Sequence, residues 1–363
     1  MLLRKEFIEN LIHKYERYIA PFTFIAGFVI DTLTLKRIDL FLDHLVIIAY
    51  IFLAGLAIFI INLHEANRLR YRWVDAAVIF MPVIMQYAFG GLLSAFVIFY
   101  TKSASFGKSW IFLLALAVLL IGNEKLRKKY QRLVMQLSIF FTALFSYAIF
   151  ALPIFIKKIG DSVFLASGVL SIGLLVLFVL FLSYFVSLKI KQNWRVLLFS
   201  IGGIYLAFNI LYFADIIPPA PLSLKESGIY HSIERINGEY RVSYEPAPSY
   251  LFLYETNPVF GWQEGETIYF FSSVFAPLDI NLAVFHRWYF YDDAQKRWLQ
   301  KESIRFPITG GRDGGYRGYS FKTAIVPGKW MVEVVTGEGR VLGREVFQVV
   351  KKELAPELNF GIK

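Results

Sequence analysis

No cysteine occurs among the 363 residues. Disulfides, thiol catalysis and thiolate metal sites are therefore excluded. No Asn-x-Ser/Thr acceptor site occurs either. Charge is scarce: Asp, Glu, Lys and Arg make up 18% of the chain, against about 25% in an ordinary soluble domain. The deficit is local. Long apolar runs fill residues 1–217 and stop there, and they lift the hydrophobic fraction to 56% and the mean hydropathy to +0.52. A window of about 20 apolar residues spans a bilayer as a helix, and several such windows occur. The composition predicts a polytopic membrane protein.

Catalytic signatures are missing as well. There is no HExxH and no GxSxG. Gly107-Lys108-Ser109 resembles the tail of a P-loop, but the required first glycine falls on Lys102. The glycine-rich stretch 310–318 lies between expected strands and opens no helix, so it is no dinucleotide loop. Neither an enzyme nor a cofactor is expected. The five histidines, at positions 13, 44, 64, 231 and 286, are scattered. His231 and His286 share the C-terminal half without metal-ligand spacing. His286 falls on one strand face with Val284, Trp288 and Phe290, which predicts a hydrogen-bonded histidine at the margin of a core.

The net charge of +10 is unevenly placed. Residues 218–363 hold seventeen basic and seventeen acidic groups, so the whole excess lies between the apolar runs. Such charge sets membrane topology and is not a nucleic-acid footprint. Seven spans are expected, near 19–35, 45–61, 74–100, 109–123, 133–156, 162–188 and 196–217. With seven, one side carries fifteen basic residues, including Arg68, Arg70, Arg72, Arg127 and Lys189, and the other carries six. The positive-inside rule then puts the N-terminus in the cytoplasm and the C-terminal half outside, in the cytoplasmic membrane. Glu6, Glu9 and Glu16 before the first run argue against a cleaved signal peptide. Residues 1–18 read as an amphipathic lead-in, with Leu3, Phe7, Leu11 and Tyr15 at helical spacing. Met81-Pro82 and Gly90-Gly91 predict a bend, a tilt or a re-entry at residues 90–100 of the third run. Asn62 to Arg72 and Asn123 to Arg132 resemble one another, which fits both an internal repeat and an ordinary cytoplasmic boundary met twice.

After Asp215 the pattern changes. Residues 218–227 read as a Pro-rich linker. Short β-branched and aromatic runs then predict strands near 228–236, 239–245, 266–275, 280–291, 297–308, 317–325, 329–336 and 340–350, with a hairpin at Asn237-Gly238. The expected fold is an all-α membrane bundle of about seven spans followed, over 228–352, by an all-β antiparallel sandwich, immunoglobulin-like or carbohydrate-module-like. Residues 353–363 read as a tail.

Two groups of residues stand out as functional candidates. Polar groups within spans are expensive and often functional: Asp31, Gln86, Asn209 and Asp215. Asp31 and Asp215 both lie near outer ends, where a cation or a proton would compensate them. Glu65 and Glu124 precede clustered Arg and Lys, where ordinary ion pairs are expected. Trp262, Trp288 and Trp298 are the candidate ligand contacts of the β half, since Trp stacks on sugars and anchors interfaces. The leading reading is a non-enzymatic envelope protein whose β-sandwich binds a glycan, a lipid headgroup or an envelope protein. The alternative is a small-solute or cation-coupled transporter with an accessory β domain. The lipid bilayer is an expected partner and nucleic acid is not.

One resemblance adds to these readings. His286-Arg287-Trp288-Tyr289, Gly318-Tyr319-Ser320-Phe321-Lys322, Pro327-Gly328-Lys329-Trp330, and Gly339 to Gly343 with Phe347 resemble the C-terminal β domain of a bacterial family catalogued as domain of unknown function 2914. Phe89-Gly90-Gly91-Leu92 through Tyr100 and Gly122-Asn123-Glu124 are similar to its membrane half. The resemblance implies a membrane half joined to a β domain, and no activity.

Overall fold

A computed structural model describes residues 31–32, 40–68, 78, 80–103, 114, 118, 132–217, 220–248, 256–277, 280–309, 314–354 and 356–363. The chain divides into two compact units that meet at the step from Ala214 to Asp215.

The first unit is helical. Its described helices are α1 (Phe41–Glu65), α2 (Met81–Ser103), α3 (Leu133–Ile156) and α4 (Asp161–Phe213). Each is long and apolar enough to cross a bilayer. Four helices are thus described where seven spans were expected. The lead-in 1–18 and most of the first expected span lie outside the described residues. So does the fourth expected span, apart from Leu114 and Val118, and so do Asn123 and Glu124. The sixth and seventh expected spans are not parted by a loop at 189–195. They are two helices run together as α4 and joined across a kink at Val186, where the dihedrals are non-helical.

That interruption reverses the chain. The Phe164 and Tyr212 rings stack with centroids 3.7 Å apart, and the Tyr212 hydroxyl donates to Asp161 Oδ1 at 3.0 Å. In a straight helix these two rings would be roughly 70 Å apart. Small residues permit the return: a Cβ on Gly168 would come within 2.5 Å of the Tyr205 ring. Helix α3 packs on both limbs. The Ser167 hydroxyl donates to the Ala148 carbonyl at 3.1 Å, the Ser138 and Ser200 hydroxyls meet at 2.7 Å, and Phe145 stacks on Phe208.

Helix α2 runs on through Gly90-Gly91 with no re-entrant break. Pro82 sits in its first turn, where the missing N–H has no helical partner to lose. Gly91 serves packing instead: a Cβ there would lie 2.7 Å from the Tyr50 ring of α1.

The second unit is built from strands β1 (Ser223–Tyr230), β2 (Ser232–Ile236), β3 (Glu239–Tyr244), β4 (Val259–Trp262), β5 (Ile268–Phe275), β6 (Asn281–Asp292), β7 (Arg297–Thr309), β8 (Tyr316–Lys322), β9 (Gly328–Thr336), β10 (Val341–Lys351) and β11 (Asn359–Ile362). A three-stranded sheet, β1-β5-β8, faces a five-stranded sheet, β4-β10-β9-β6-β7. Between them lie Phe270 and Val274 from β5, Val284 and Trp288 from β6, Val332 and Val334 from β9, and Phe347 and Val349 from β10, all buried. Burying each such side chain stabilises by about 1.5–3 kcal/mol. The third sheet, β11-β3-β2, packs Ile233, Tyr240 and Val242 against Phe271, on the opposite face of β5.

Four expectations are corrected here. The strand expected over 228–236 breaks at His231 into β1 and β2. The supposed linker already contains the start of β1, and the supposed tail contains β11, which pairs with β3. Outside every expected strand lies β4, which ends on Trp262. This strand pairs with β10 in parallel, so the sheet is not purely antiparallel.

The reversal at Val186 is open to a direct test. In a Phe164→Cys/Tyr212→Cys variant of this cysteine-free chain, a bismaleimide spanning about 8 Å should join the two positions within one chain. Mass spectrometry of the digest should show the joined peptides. A straight helix would keep the thiols roughly 70 Å apart and give no such product.

Candidate functional site

The candidate polar residues of the helical half do not assemble into one site. Asp31 lies beside Ser94 of α2 and near Tyr50 of α1. Gln86 is half-buried on α2. Asn209 spends its amide within its own helix, donating to the Tyr205 carbonyl at 2.8 Å. Asp215 belongs to the second unit, where Arg340 Nη1 donates to its Oδ1 at 2.9 Å. That partner lies 125 positions away in sequence and was not anticipated.

A different polar group does assemble. Asn62 and Gln136 are fully buried. Asn62 Nδ2 donates to Gln136 Oε1 at 2.7 Å and to the Ile58 carbonyl at 2.8 Å. Lys189, three residues past the reversal in α4, donates to Asn62 Oδ1 at 2.7 Å and forms an ion pair with Glu65. Three helices therefore meet on one hydrogen-bonded node. Its residues come from three distant apolar runs, and no local spacing links them. Glu65 forms an ion pair with the distant Lys189; Arg70 and Arg72 of the cluster that follows it lie outside the described residues.

In the β unit, Trp288 is fully enclosed. Its indole N–H donates to Ser320 Oγ at 3.0 Å. Trp262 is also buried and donates to the Glu266 carbonyl at 3.0 Å. Neither ring is available to a ligand at the surface. Trp298 is half-exposed on β7. It pairs in register with Tyr291 of β6, the rings meeting edge to face at 5.2 Å. His286 is completely buried, not marginal. Its Nε2 meets Ser272 Oγ at 2.7 Å and its Nδ1 meets Ser320 Oγ at 2.9 Å.

A cluster of ionisable groups surrounds His231, at the break between β1 and β2. Its Nδ1 meets Glu266 Oε1 at 2.5 Å and its Nε2 meets Glu245 Oε1 at 3.3 Å. The Gly261 amide donates to Glu245 Oε1 at 2.5 Å, and Lys352 Nζ donates to Oε2 at 3.0 Å. The Gln263 amide donates to Glu266 Oε2 at 2.9 Å, and the His231 ring stacks on Phe260 at 4.1 Å. These contacts clasp β4 from both ends. Burial alone would depress the His231 pKa, but the hydrogen bonds and charges of Glu245 and Glu266 outweigh it and hold the imidazole above its usual range. Burial opposes ionisation of Glu245 too. His231, the Gly261 amide and Lys352 overcome it and hold the carboxyl below its usual range. Both shifts favour the charged pair. Among the described residues, no group of three or more His, Asp or Glu is arranged to hold a metal ion.

The sequence reading missed a surface feature on the outer side of the three-stranded sheet. A chain of ring contacts starts at Tyr230, which is fully buried. It runs through Phe271 to Tyr240, with centroids 6.2 and 5.6 Å apart. It continues to Tyr319 at 6.0 Å, Tyr269 at 6.2 Å and Phe321 at 5.9 Å. The row ends in the open: Tyr319 is 38% exposed and Phe321 53%. Alternation along β8 creates it, turning Ser320 into the core and Tyr319 and Phe321 outward. That period-2 signal lay in Gly318-Tyr319-Ser320-Phe321.

Comparison with known proteins adds little chemistry. Residues 282–349, from β6 to nearly the end of β10, match the family described as "Protein of unknown function (DUF2914)". The matched segment contains His286, Trp298, Tyr319 and Phe321; the helical half and His231 lie outside it. No curated protein matches the chain. Among solved structures, the chain aligns with the Pseudomonas fluorescens alkylpurine DNA glycosylase AlkC bound to DNA containing an abasic site analog. The alignment has 11% identity, covers 83% of this chain and 96% of that one, and has a TM-score of 0.22. A likeness so slight bears on neither fold nor function.

The clasp predicts a pH window. The His231 contribution is complete below its unfolded value of 6.5 and is lost as pH rises through the higher folded value. The Glu245 contribution is complete above 4.5 and is lost as pH falls through the lower folded value. The clasp should therefore be strongest between about pH 4.5 and 6.5. His231→Gln should cost the β unit about 1–3 kcal/mol at pH 5.5 and less at pH 9. Unfolding of the protein followed by tryptophan fluorescence at both pH values measures this, and an equal loss at both would refute a charged clasp.

Proposed function

We propose that the chain is a non-enzymatic, multi-pass protein of the cytoplasmic membrane. Its β unit is a sandwich of the immunoglobulin-like or carbohydrate-module-like kind, stands outside the membrane, and binds a glycan, a lipid headgroup or another envelope protein. The observation that carries this reading is the row Tyr240–Tyr319–Tyr269–Phe321, which leads from the core to two exposed rings on an edge strand. Rings presented in this way supply rigid contact area at low entropic cost, for the faces of sugars or for another protein. The separate core of the β unit supports its role as a displayed module. The fifteen-to-six split of basic residues supports its placement outside.

Transport is the second reading, and one observation favours it. The node of Asn62, Gln136, Lys189 and Glu65 places a lysine ammonium and two buried amides among three apolar helices. Ionisable groups in such surroundings commonly mark ion or proton paths.

One set of measurements separates the two. A reporter active only outside the cytoplasm, fused after Lys363, should be active. Full-length protein in nanodiscs should bind immobilised polysaccharides or lipid vesicles, and Tyr319→Ala/Phe321→Ala should weaken that binding at least tenfold without loss of helical signal. If the double variant binds as well as the parent, the display reading fails. Solute uptake into proteoliposomes that is lost in Lys189→Ala would then favour transport.

A further inference from the structure

The five-stranded sheet has an outer face whose charge differs sharply from that of the unit as a whole. Residues 218–363 hold equal numbers of acids and bases. The registers of β6, β7, β9 and β10 turn Arg287, Arg305, Lys329 and Arg344 to this face, and a single acid, Glu333. Arg287 and Arg344 stand in register opposite Glu333 on either side of it, so two cationic residues flank one acidic one. Arg344 Nη2 lies 3.2 Å from Glu333 Oε1. The Tyr289 hydroxyl lies within the electrostatic reach of both Glu333 and Arg287. Glu333 is thus engaged by its neighbours and cannot neutralise the other cations of the face.

Aromatic rings lie among these cations. Phe285, Tyr289 and Tyr291 of β6 point outward beside Trp298 of β7, all half-exposed. Lys329 Nζ lies 5.7 Å from the centre of the Tyr291 ring and 5.8 Å from that of Trp298. Gln300, Ser303 and Arg305 continue the face along β7 and are exposed. The rings lie half sunk among their neighbours, so they form a floor and do not protrude as anchors that would enter a bilayer.

We propose that this outer face binds an acidic glycan, a chain of sugars carrying carboxylate groups. Sugar rings would lie on Tyr291 and Trp298, whose faces accept C–H groups. Lys329 and the two arginines beside Glu333 would take the carboxylates through charge-assisted hydrogen bonds. Charge complementarity selects this occupant: four cations against one acid repel a cationic partner and give a neutral glycan no use for the excess. The proposal rests on the reading of the β unit as a displayed binding module. It concerns a different sheet face from the Tyr319–Phe321 row.

The test uses full-length protein in nanodiscs of neutral lipid, with polygalacturonate as probe and neutral dextran as control. Polygalacturonate should bind, with affinity falling as salt rises, and dextran should not compete. Lys329→Gln/Arg344→Gln should weaken binding at least tenfold, and Trp298→Ala should weaken it without changing the salt dependence. Gln300→Lys adds a cation to the same face and should strengthen binding two- to fivefold, a gain that misfolding cannot imitate. The proposal is overturned if polygalacturonate does not bind. Equal competition by dextran, unchanged affinity in all three variants, or tighter binding to double-stranded DNA than to polygalacturonate would overturn it as well. If neutral polysaccharide binding that depends on Tyr319 and Phe321 survives any of these results, the broader display reading stands without this site. If no glycan or vesicle binds at all, both fall.

Discussion

The β unit depends on one polar chain buried where its two main sheets meet. His286 and Trp288 project from β6, and Ser272 and Ser320 project from β5 and β8 on the facing sheet. The bonds close consistently when Trp288 donates to Ser320, Ser320 donates to Nδ1, and Nε2–H donates to Ser272. Each bond crosses the interior, so a slip of either sheet would strand several buried polar groups, at about 1–3 kcal/mol apiece. Apolar packing alone tolerates many alignments of two sheets; this chain of donors and acceptors tolerates few. It also requires a neutral imidazole, and burial pushes His286 down to about 3. Glu345 illustrates the cost of a less complete arrangement. It occupies a core-facing position of β10 with Ser227 donating to it at 3.1 Å, and burial raises its carboxyl to about 6.

The two histidines of the β unit show how surroundings decide the role of one residue type. His286 is enclosed by hydroxyls and rings and is held neutral. His231 is almost as enclosed, but two carboxylates face it, and they favour the cation. The first histidine fixes how the sheets face one another. The second holds a four-residue strand at the edge of the larger sheet, where pairing with β10 alone gives few hydrogen bonds. A short parallel edge strand has little stability of its own, so the clasp supplies what its length cannot.

Long periodic segments were legible in the sequence. The ends of β3, β6, β7, β9 and β10 fall within a residue or two of expectation, because alternation over six or more residues leaves little choice. Short strands held by distant partners were not. Residues 259–262 carry a proline before them and glycines within and after, and they become a strand through pairing with β10 and the contacts of Glu245, His231 and Lys352. Residues 359–362 become a strand because β3 offers a free edge. In the helical half, apolar runs revealed the helices, but the absence of a loop at 189–195 could not be seen. The Lys-rich stretch there reads as a boundary, and the chain does reverse just before it, at Val186; spacing could not show that Lys189 turns inward to Asn62. The polar node escaped notice for the same reason: its members are joined by tertiary packing and not by spacing. Of the three tryptophans marked as ligand contacts, alternation alone would have placed Trp288 with buried Val284 and His286.

The exposed rings of β8 remain to be reconciled with folding. This strand is the edge of its sheet, and an edge carrying large apolar side chains invites pairing with another chain. The sequence places its defences on the same strand. Arg317 lies two residues before Tyr319 on the same face, and Lys322 follows Phe321 directly, its ammonium 2.8 Å from Glu302 of β7. Charges spaced in this way disfavour a second strand docking along the edge, because it would have to desolvate them. They do not obstruct a ligand that approaches the ring faces from outside the sheet. The exposure of Tyr319 and Phe321 is therefore guarded in the direction of aggregation and open in the direction of binding.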